Sequence, residues 1–339
     1  MERKPMFGGP QQPAFVETIK STHNVTYVLT STAGTRLVSP LFLSPLILAE
    51  TTPQQVTKIL FKNGTSPALA TGVQFGRNDG SRYTVYAKKE VILAAGAFMV
   101  RINIETGLLL LSNVNAFPGL SQVFGSQSEN VVSQIYANIA TWAQSQADSG
   151  GATALEKVFR IQADLITKKN VPTTEISFKT GSVDDLGINM WTLLPFSRVY
   201  RPVRQTENHH KLFSVDFDLQ CQIAGARMAR KILGGSPMSS ISVGETIPGN
   251  VSVPDDGSGG SDADWAKWIK ANFGSVAHPV GTCAMMSRDL GGCVDGRLIV
   301  YGTKNVRVVD ASAMPTQVSA HLSSTLYAFA EKAADLIKG

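Results

Sequence analysis

The sequence predicts a mixed fold, α/β or α+β, in which one part draws on both ends of the chain. Two observations lead there. Short β-type runs occur at residues 55–97 and again at residues 305–312, whereas helical spacing dominates the middle. The chain has 339 residues, enough for two domains or one large α/β unit. Its 43% hydrophobic and 17% charged residues are the composition of a globular chain and exclude a disordered one.

The elements follow in order. Residues 1–50 are rich in turn formers, with one partly alternating run, HNVTYVLTST, at residues 23–32. LVSPLFLSPLILAE, at residues 37–50, is apolar but cut by Pro40 and Pro45, so it is expected to be a buried irregular segment. VTKILF and ATGVQF flank Asn63-Gly64 and predict a hairpin closed by a tight turn, because Asn-Gly accepts the positive φ angles such turns need. A second turn at Asn78-Asp79-Gly80-Ser81 leads into RYTVYA, and EVILAAGA then reads as a strand buried on both faces. Residues 98–125 mix strand and helix cues.

Helical spacing returns at residues 129–145, where Val132, Ile135, Tyr136, Ile139 and Trp142 share a face, and near 153–167. INMWTLLPFSR, residues 188–198, is expected to be a strand. DFDLQCQIAGARMARKILGG is expected to be a helix stopped by its paired glycines. Gly257-Ser258-Gly259-Gly260 reads as a linker, after which Ser261 should cap the helix DADWAKWIKANF. NVRVVDAS, residues 305–312, predicts a buried strand. His321 then opens a helix with Leu322, Leu326, Phe329, Ala333 and Leu336 at helical intervals.

Composition narrows the function. The net charge of +5 comes from scattered Lys and Arg with no basic stripe, which argues against a nucleic-acid partner. No apolar run is long enough to span a membrane as a helix. Of the three cysteines, Cys221 falls in a helical pattern and reads as a small buried hydrophobe, while Cys283 and Cys293 are left open as a pair. Sequons at Asn24, Asn63 and Asn250 fit a secreted glycoprotein, although MERKPMFGGPQQPAF lacks the apolar core of a signal peptide. No His or Cys spacing of metal-binding type occurs, so no metal is expected.

The chemistry-bearing stretches are HPVGTCAMM, residues 278–286, and VRVVDASAMPTQVSAHLSS, residues 306–324. His278 precedes Pro279, which favours an extended backbone. Gly281 lets that backbone run close to another group. A neutral imidazole suits a general base, because its unperturbed pKa lies near ~6.5. His23, His209 and His210 match no chemical pattern.

These two stretches resemble the C-terminal end of the glucose–methanol–choline (GMC) oxidoreductases, nearest their fungal glucose oxidase and glucose dehydrogenase-like branch. The resemblance is strong over residues 212–339 and fair over 51–98. It implies a partial GMC-type FAD-binding fold with a discontinuous substrate domain built on an antiparallel sheet. Residues 1–50 stay unassigned, 51–98 with 275–339 would form the FAD-binding part, and 99–274 the substrate part.

It further implies FAD as cofactor, an extracellular setting, a sugar or primary alcohol as substrate, and oxygen or a quinone as electron acceptor. By the same comparison His278 and His321 would be the catalytic pair. Val56, Ala95, Gly96, Asp310, Ala311, Thr316, Gln317 and Val318 would meet the cofactor. The chain departs from the family pattern in having no G-x-G-x-x-G after a strand, so it looks like a member without its N-terminal third and with an internal deletion. The alternative expectation is a non-catalytic remnant that holds no FAD and acts by binding.

Overall fold

A computed structural model of the chain describes residues 54–77, 80–94, 114–147, 151–182, 185–200, 209–276 and 278–339. The expectations at 23–32, 37–50 and the start of 98–125, together with Asn24, Asn78, Asp79, Ala95 and Gly96, lie outside the described residues. The chain forms two compact units. One gathers the described residues of Met1–Gly107 with His278–Gln317 and His321–Gly339; the other comprises those of Leu108–Ala277 with Val318–Ala320.

In the first unit, β1 (Gln54–Phe61) and β2 (Ala70–Arg77) pair antiparallel, and β3 (Arg82–Tyr86) adds to β2. Val73 and Ala70 are buried, with Val56, Ile59 and Val85 packed against them; the register shifts in the β1–β2 ladder break strict period-two alternation. The hairpin is real, but its turn is not tight. The β1–β2 ladder stops at Phe61 and Ala70, and residues 62–69 form a wider loop closed by Lys62 N–H to Leu69 O at 2.8 Å. Thr65 sets the width: its hydroxyl donates to Lys62 O at 3.0 Å and accepts from Leu69 N at 3.1 Å. A side chain thus does the work expected of a two-residue Asn-Gly turn. After β3, β4 (Val91–Leu93) carries the buried Val91 and Ile92.

The second unit holds a three-stranded antiparallel sheet of β5 (Val114–Ala116), β6 (Thr174–Ser182) and β7 (Asp185–Thr192). Helices α1 (Leu120–Phe124), α2 (Ser128–Gln146) and α3 (Ala152–Lys168) lie between β5 and β6 in the chain. On α2, Val131, Ile135, Ile139 and Ala143 are buried at the expected spacing and pack with Phe159, Ala163 and Ile166 of α3. Phe196 sits centrally, with the rings of Trp142, Phe159 and Phe217 at 5.1, 5.2 and 5.4 Å.

β7 ends at Thr192, six residues before the expected end of the strand. The next turn is held by side chains instead of a ladder. Asp218 accepts from Phe196 N at 2.8 Å and Ser197 N at 2.6 Å, Gln162 donates to Leu194 O at 2.8 Å, and Arg198 N donates to Gln146 at 2.7 Å. Burial pushes the Asp218 carboxyl above the ordinary aspartate range, against these hydrogen bonds and nearby Arg198.

After the short pair β8 (Val199–Tyr200) and β9 (His209–His210), α4 (Asp216–Gly234) runs up to Gly235, as its glycines predict. It packs on the sheet at Gly225, where a Cβ would stand 2.2 Å from Met190 Cε and 3.1 Å from Thr174 Cγ2. Cys221, fully buried, behaves as the expected small hydrophobe, and its thiol is pushed up to about 11 by burial. Residues 257–260 are not a linker. Gly259 O accepts from Trp265 Nε1 at 2.7 Å and Arg230 at 3.0 Å, and Gly260 O from Arg227, which pins the loop to α4 and to α5 (Asp262–Asn272). Ser261 caps α5 as expected, accepting from Asp264 N at 3.1 Å.

The chain re-enters the first unit at His278. β10 (Val306–Val308) pairs parallel with β4, and α6 (Leu322–Lys338) follows. The predicted strand at 305–312 is therefore shorter, since Asp310 turns the chain by capping a 3₁₀ turn at residues 311–313. Asn305 joins neighbouring segments by donating to Ala70 O and Lys89 O while accepting from Ala70 N. Arg307 is 3% exposed and pairs with Glu90 at 2.6 Å. Removing Glu90 would strand that charge inside. Glu90→Ala should therefore cost about 3 kcal/mol, the low end for a broken buried pair because Glu90 itself is partly exposed, as read from urea unfolding.

Candidate active site at the His278–His321 pair

Two segments carry the histidines to one place. The first runs from His278 and is tied to residues 311–313 by Gly281 N to Ala311 O at 3.2 Å, Cys283 N to Ser312 O at 2.9 Å and Met285 N to Ala313 O at 2.8 Å. Gly281 adopts φ +84°, and a Cβ there would stand 3.4 Å from Met314 O, an ordinary contact. Glycine is needed for its φ more than for space. On the other side Cys293 N donates to Ala284 O at 2.9 Å, and Cys283 and Cys293 form a disulfide, which settles the pairing left open by spacing.

The second segment descends from β10. Val309 N donates to Leu93 O at 2.9 Å, and Asp310 accepts from Ser312 N at 2.7 Å to make the turn. The chain then reaches His321, the N-cap of α6 with an extended backbone at φ −60° and ψ 141°. The Gln317 side-chain amide donates to His278 O and so links the two segments directly.

The two imidazoles meet with ring centroids 5.4 Å apart and planes at 81°. His278 is half-buried and His321 exposed. Burial lowers the His278 pKa, and repulsion from His321 lowers it further. His278 is thereby kept neutral over more of the physiological range than a solvated histidine.

Of the residues singled out in the sequence, the structure brings His278, His321 and Gln317 together. Asp310, Ala311 and Thr316 lie in the same turn-rich run, with Ala311 O bonded to the Gly281 amide. Val56 lies in β1 beside a bulge: the ladder passes from Val56–Phe75 to Lys58–Gln74, which leaves Thr57 without a ladder position. Val318 clusters with the second unit, where Ser319 donates to Pro172 O. Ala95 and Gly96 lie outside the described residues. Sequence reasoning missed the Gln317 link to His278 and the capping role of Asp310; Asp-x-Ser was the available signal for the latter. Among the described residues no group of three or more His, Cys, Asp or Glu is placed to hold a metal, and no helix is long and apolar enough to cross a membrane.

Comparison with known proteins gives the family to which this fold and histidine pair are similar. Residues 201–330 match the C-terminal family model described as GMC oxidoreductase. The chain is 31% identical over 349 residues to the glucose oxidase-like protein fsoC of Humicola fuscoatra, covering 87% of this chain and 58% of that protein. It is 30% identical over 336 residues to a glucose oxidase of Aspergillus carbonarius, covering 84% and 54%.

Among solved structures it resembles an FAD-dependent oxidoreductase from Chaetomium thermophilum, with TM-score 0.70, 21% identity, and coverage of 84% of this chain and 61% of that one. It also resembles a fungal aryl-alcohol oxidase, with TM-score 0.66, 23% identity, and coverage of 94% and 65%. The chain is thus a GMC oxidoreductase relative of the fungal glucose oxidase-like branch, and it spans a little over half the length of these relatives.

The residues present fit a flavin at two ends. The bulge beside Val56 offers backbone groups outside the ladder, and the half-buried run from Asp310 to Gln317 lies against the His278 segment. A glycine-rich turn leading from a strand into a helix, which a diphosphate requires, is not found among the described residues; the glycines at 257–260 lie between α4 and α5.

The electrostatics of the pair can be tested without any cofactor. In an NMR pH titration the His278 imidazole should have a midpoint below the ordinary value of about 6.5. His321→Gln should raise that midpoint without restoring it fully, because burial is the larger cause. Since the folded state binds this proton less readily than the unfolded chain, His278 favours folding above about pH 6.5 and loses that contribution as pH falls through its depressed midpoint. A midpoint unmoved by His321→Gln would refute the coupling.

Proposed function

We propose that this chain forms the reaction-bearing half of an FAD-dependent oxidoreductase that acts on the CH–OH group of a sugar or primary alcohol. The observation that carries the reading is the T-shaped imidazole pair with its centroids 5.4 Å apart. At that separation both rings can meet one hydroxyl oxygen. His278, held neutral by burial, takes the hydroxyl proton. His321 hydrogen-bonds the same oxygen and orients it. Gln317 keeps His278 in register by holding its carbonyl.

A bound flavin would supply the hydride acceptor. The backbone at Val56 would face its adenine, and the run from Asp310 through Ala311 and Thr316 to Gln317 would line its ribityl chain and ring, with Ala95, Gly96 and Val318 added by resemblance. The glucose oxidases among the relatives make a hexose the first substrate to try, with oxygen as acceptor and a quinone as the alternative. The sequons at Asn63 and Asn250 and the resemblance to the fungal branch suggest an extracellular setting.

The test is the visible absorbance of the purified chain with and without added FAD. The expected result is a flavin spectrum that survives gel filtration and bleaches anaerobically on addition of sugar or alcohol. His278→Ala and His321→Ala should each retain the flavin and slow that bleaching by ~10²–10⁴-fold, the usual worth of a general acid or base. A chain that stays colourless after reconstitution would favour the rival reading, a binding protein without cofactor. That reading is supported by the lack of a diphosphate cradle among the described residues.

A further inference from the structure

The loop between α4 and α5 presents four aliphatic side chains to water. Ile241, Val243, Ile247 and Val251 are 72%, 105%, 77% and 99% exposed. Such exposure is ordinary in a loose loop, but this one is held at Glu245, Gly249 and Val253. Arg230 holds Glu245 through two bonds of 2.7 and 2.6 Å and donates to Val253 O at 3.0 Å, while Val253 itself is fully buried. Glu245 also accepts from Gly249 N at 3.2 Å. Four outward aliphatic residues within residues 241–251 give this loop an apolar surface that a cover would shield.

The same loop carries the sequon Asn250-Val251-Ser252. Asn250 is exposed, and its Oδ1 accepts from Asp255 N at 2.8 Å, while its Nδ2 makes no hydrogen bond among the described residues. Ser252 is exposed, in a turn closed by Ser252 N to Gly249 O at 3.1 Å. Attachment at Nδ2 would therefore leave the loop's own hydrogen bond intact.

We infer that Asn250 is an N-glycan acceptor and that its carbohydrate covers the aliphatic loop from Ile241 to Val251. The donor class is a lipid-pyrophosphate-linked oligosaccharide. Nδ2 bonds to the anomeric carbon and loses a proton, the carbon–oxygen bond to the pyrophosphate breaks, and the lipid pyrophosphate departs. The inference is independent of the flavin. Asn63, an exposed sequon in the β1–β2 loop, lies outside this patch and serves as the control.

The full chain should be passed through a fungal secretory pathway behind a cleavable leader. The Asn250 peptide should then carry a glycan in mass spectrometry. Asn250→Gln and Ser252→Ala should shift the secreted protein from monomer to larger species in light scattering, whereas Asn63→Gln should not. Enzymatic removal of glycans from the folded parent should cause the same shift, which keeps the test valid if a variant fails to fold. An unmodified Asn250 in secreted protein would overturn the inference. So would deglycosylated protein that stays monomeric, or a patch already covered by a second copy while the glycan is present.

Discussion

Both histidines depend on the short ladder that joins residues 281–285 to residues 311–313. It consists of three backbone hydrogen bonds, each worth on the order of 0.5–1.5 kcal/mol net, so its energy is modest. Its geometry matters more. One edge of the ladder continues back to His278 and the other forward towards His321, so the separation of the two rings is set where the segments are tied. The disulfide and the Cys293–Ala284 bond brace the first edge from outside. The Asp310 cap shapes the second. Gln317 then closes the circuit with a bond to the His278 carbonyl. Apart from the disulfide, each device acts on the backbone of the two segments.

The first unit anchors that ladder through a buried charge. β4 and β10 form a parallel pair only three residues long, too short to fix itself by hydrogen bonds alone. Arg307 and Glu90 fasten the two strands, and Asn305 ties the entry to β10 to Ala70 and Lys89. The second unit solves the comparable problem differently. Where β7 ends, the carboxylate of Asp218 and the amides of Gln146 and Gln162 take up backbone groups that a longer strand would have paired. Burying Asp218 is costly, and its raised pKa reflects that cost. The turn it holds places Phe196 at the centre of the aromatic cluster.

What could be read from the sequence was local and periodic. The helices at 128–146, 152–168, 216–234, 262–272 and 322–338 followed from 3.6-residue spacing, a serine cap and terminal glycines. The hairpin followed from Asn63-Gly64 between two strand-like runs, and the buried strand at Val91 from its apolar run. What was not legible depended on side chains reaching the backbone of residues far away. Asp218 shortens β7, Thr65 widens the hairpin loop, and Arg230 with Trp265 turns a glycine-rich stretch into packed structure. Periodicity carries no signal for such contacts. For the site, resemblance to a family motif picked out His278, His321 and Gln317. Only the fold shows that Gln317 grips the His278 carbonyl and that Cys283 pairs with Cys293.

The pair's electrostatics bear on which histidine works as the base. Two imidazoles 5.4 Å apart disfavour double protonation, because a charge on one raises the cost of a charge on the other. His278, half-buried, bears the larger penalty for being charged, whereas His321 is exposed to solvent. A proton taken from substrate by His278 would create the less favourable imidazolium, so the acquired charge must be stabilised or passed on. The exposed His321 is the neighbouring titratable side chain, its ring centroid 5.4 Å away. If His278 is the base, as proposed above, its ring would start each turnover neutral, and the exposed His321 that orients the substrate oxygen would also offer the proton a way to solvent.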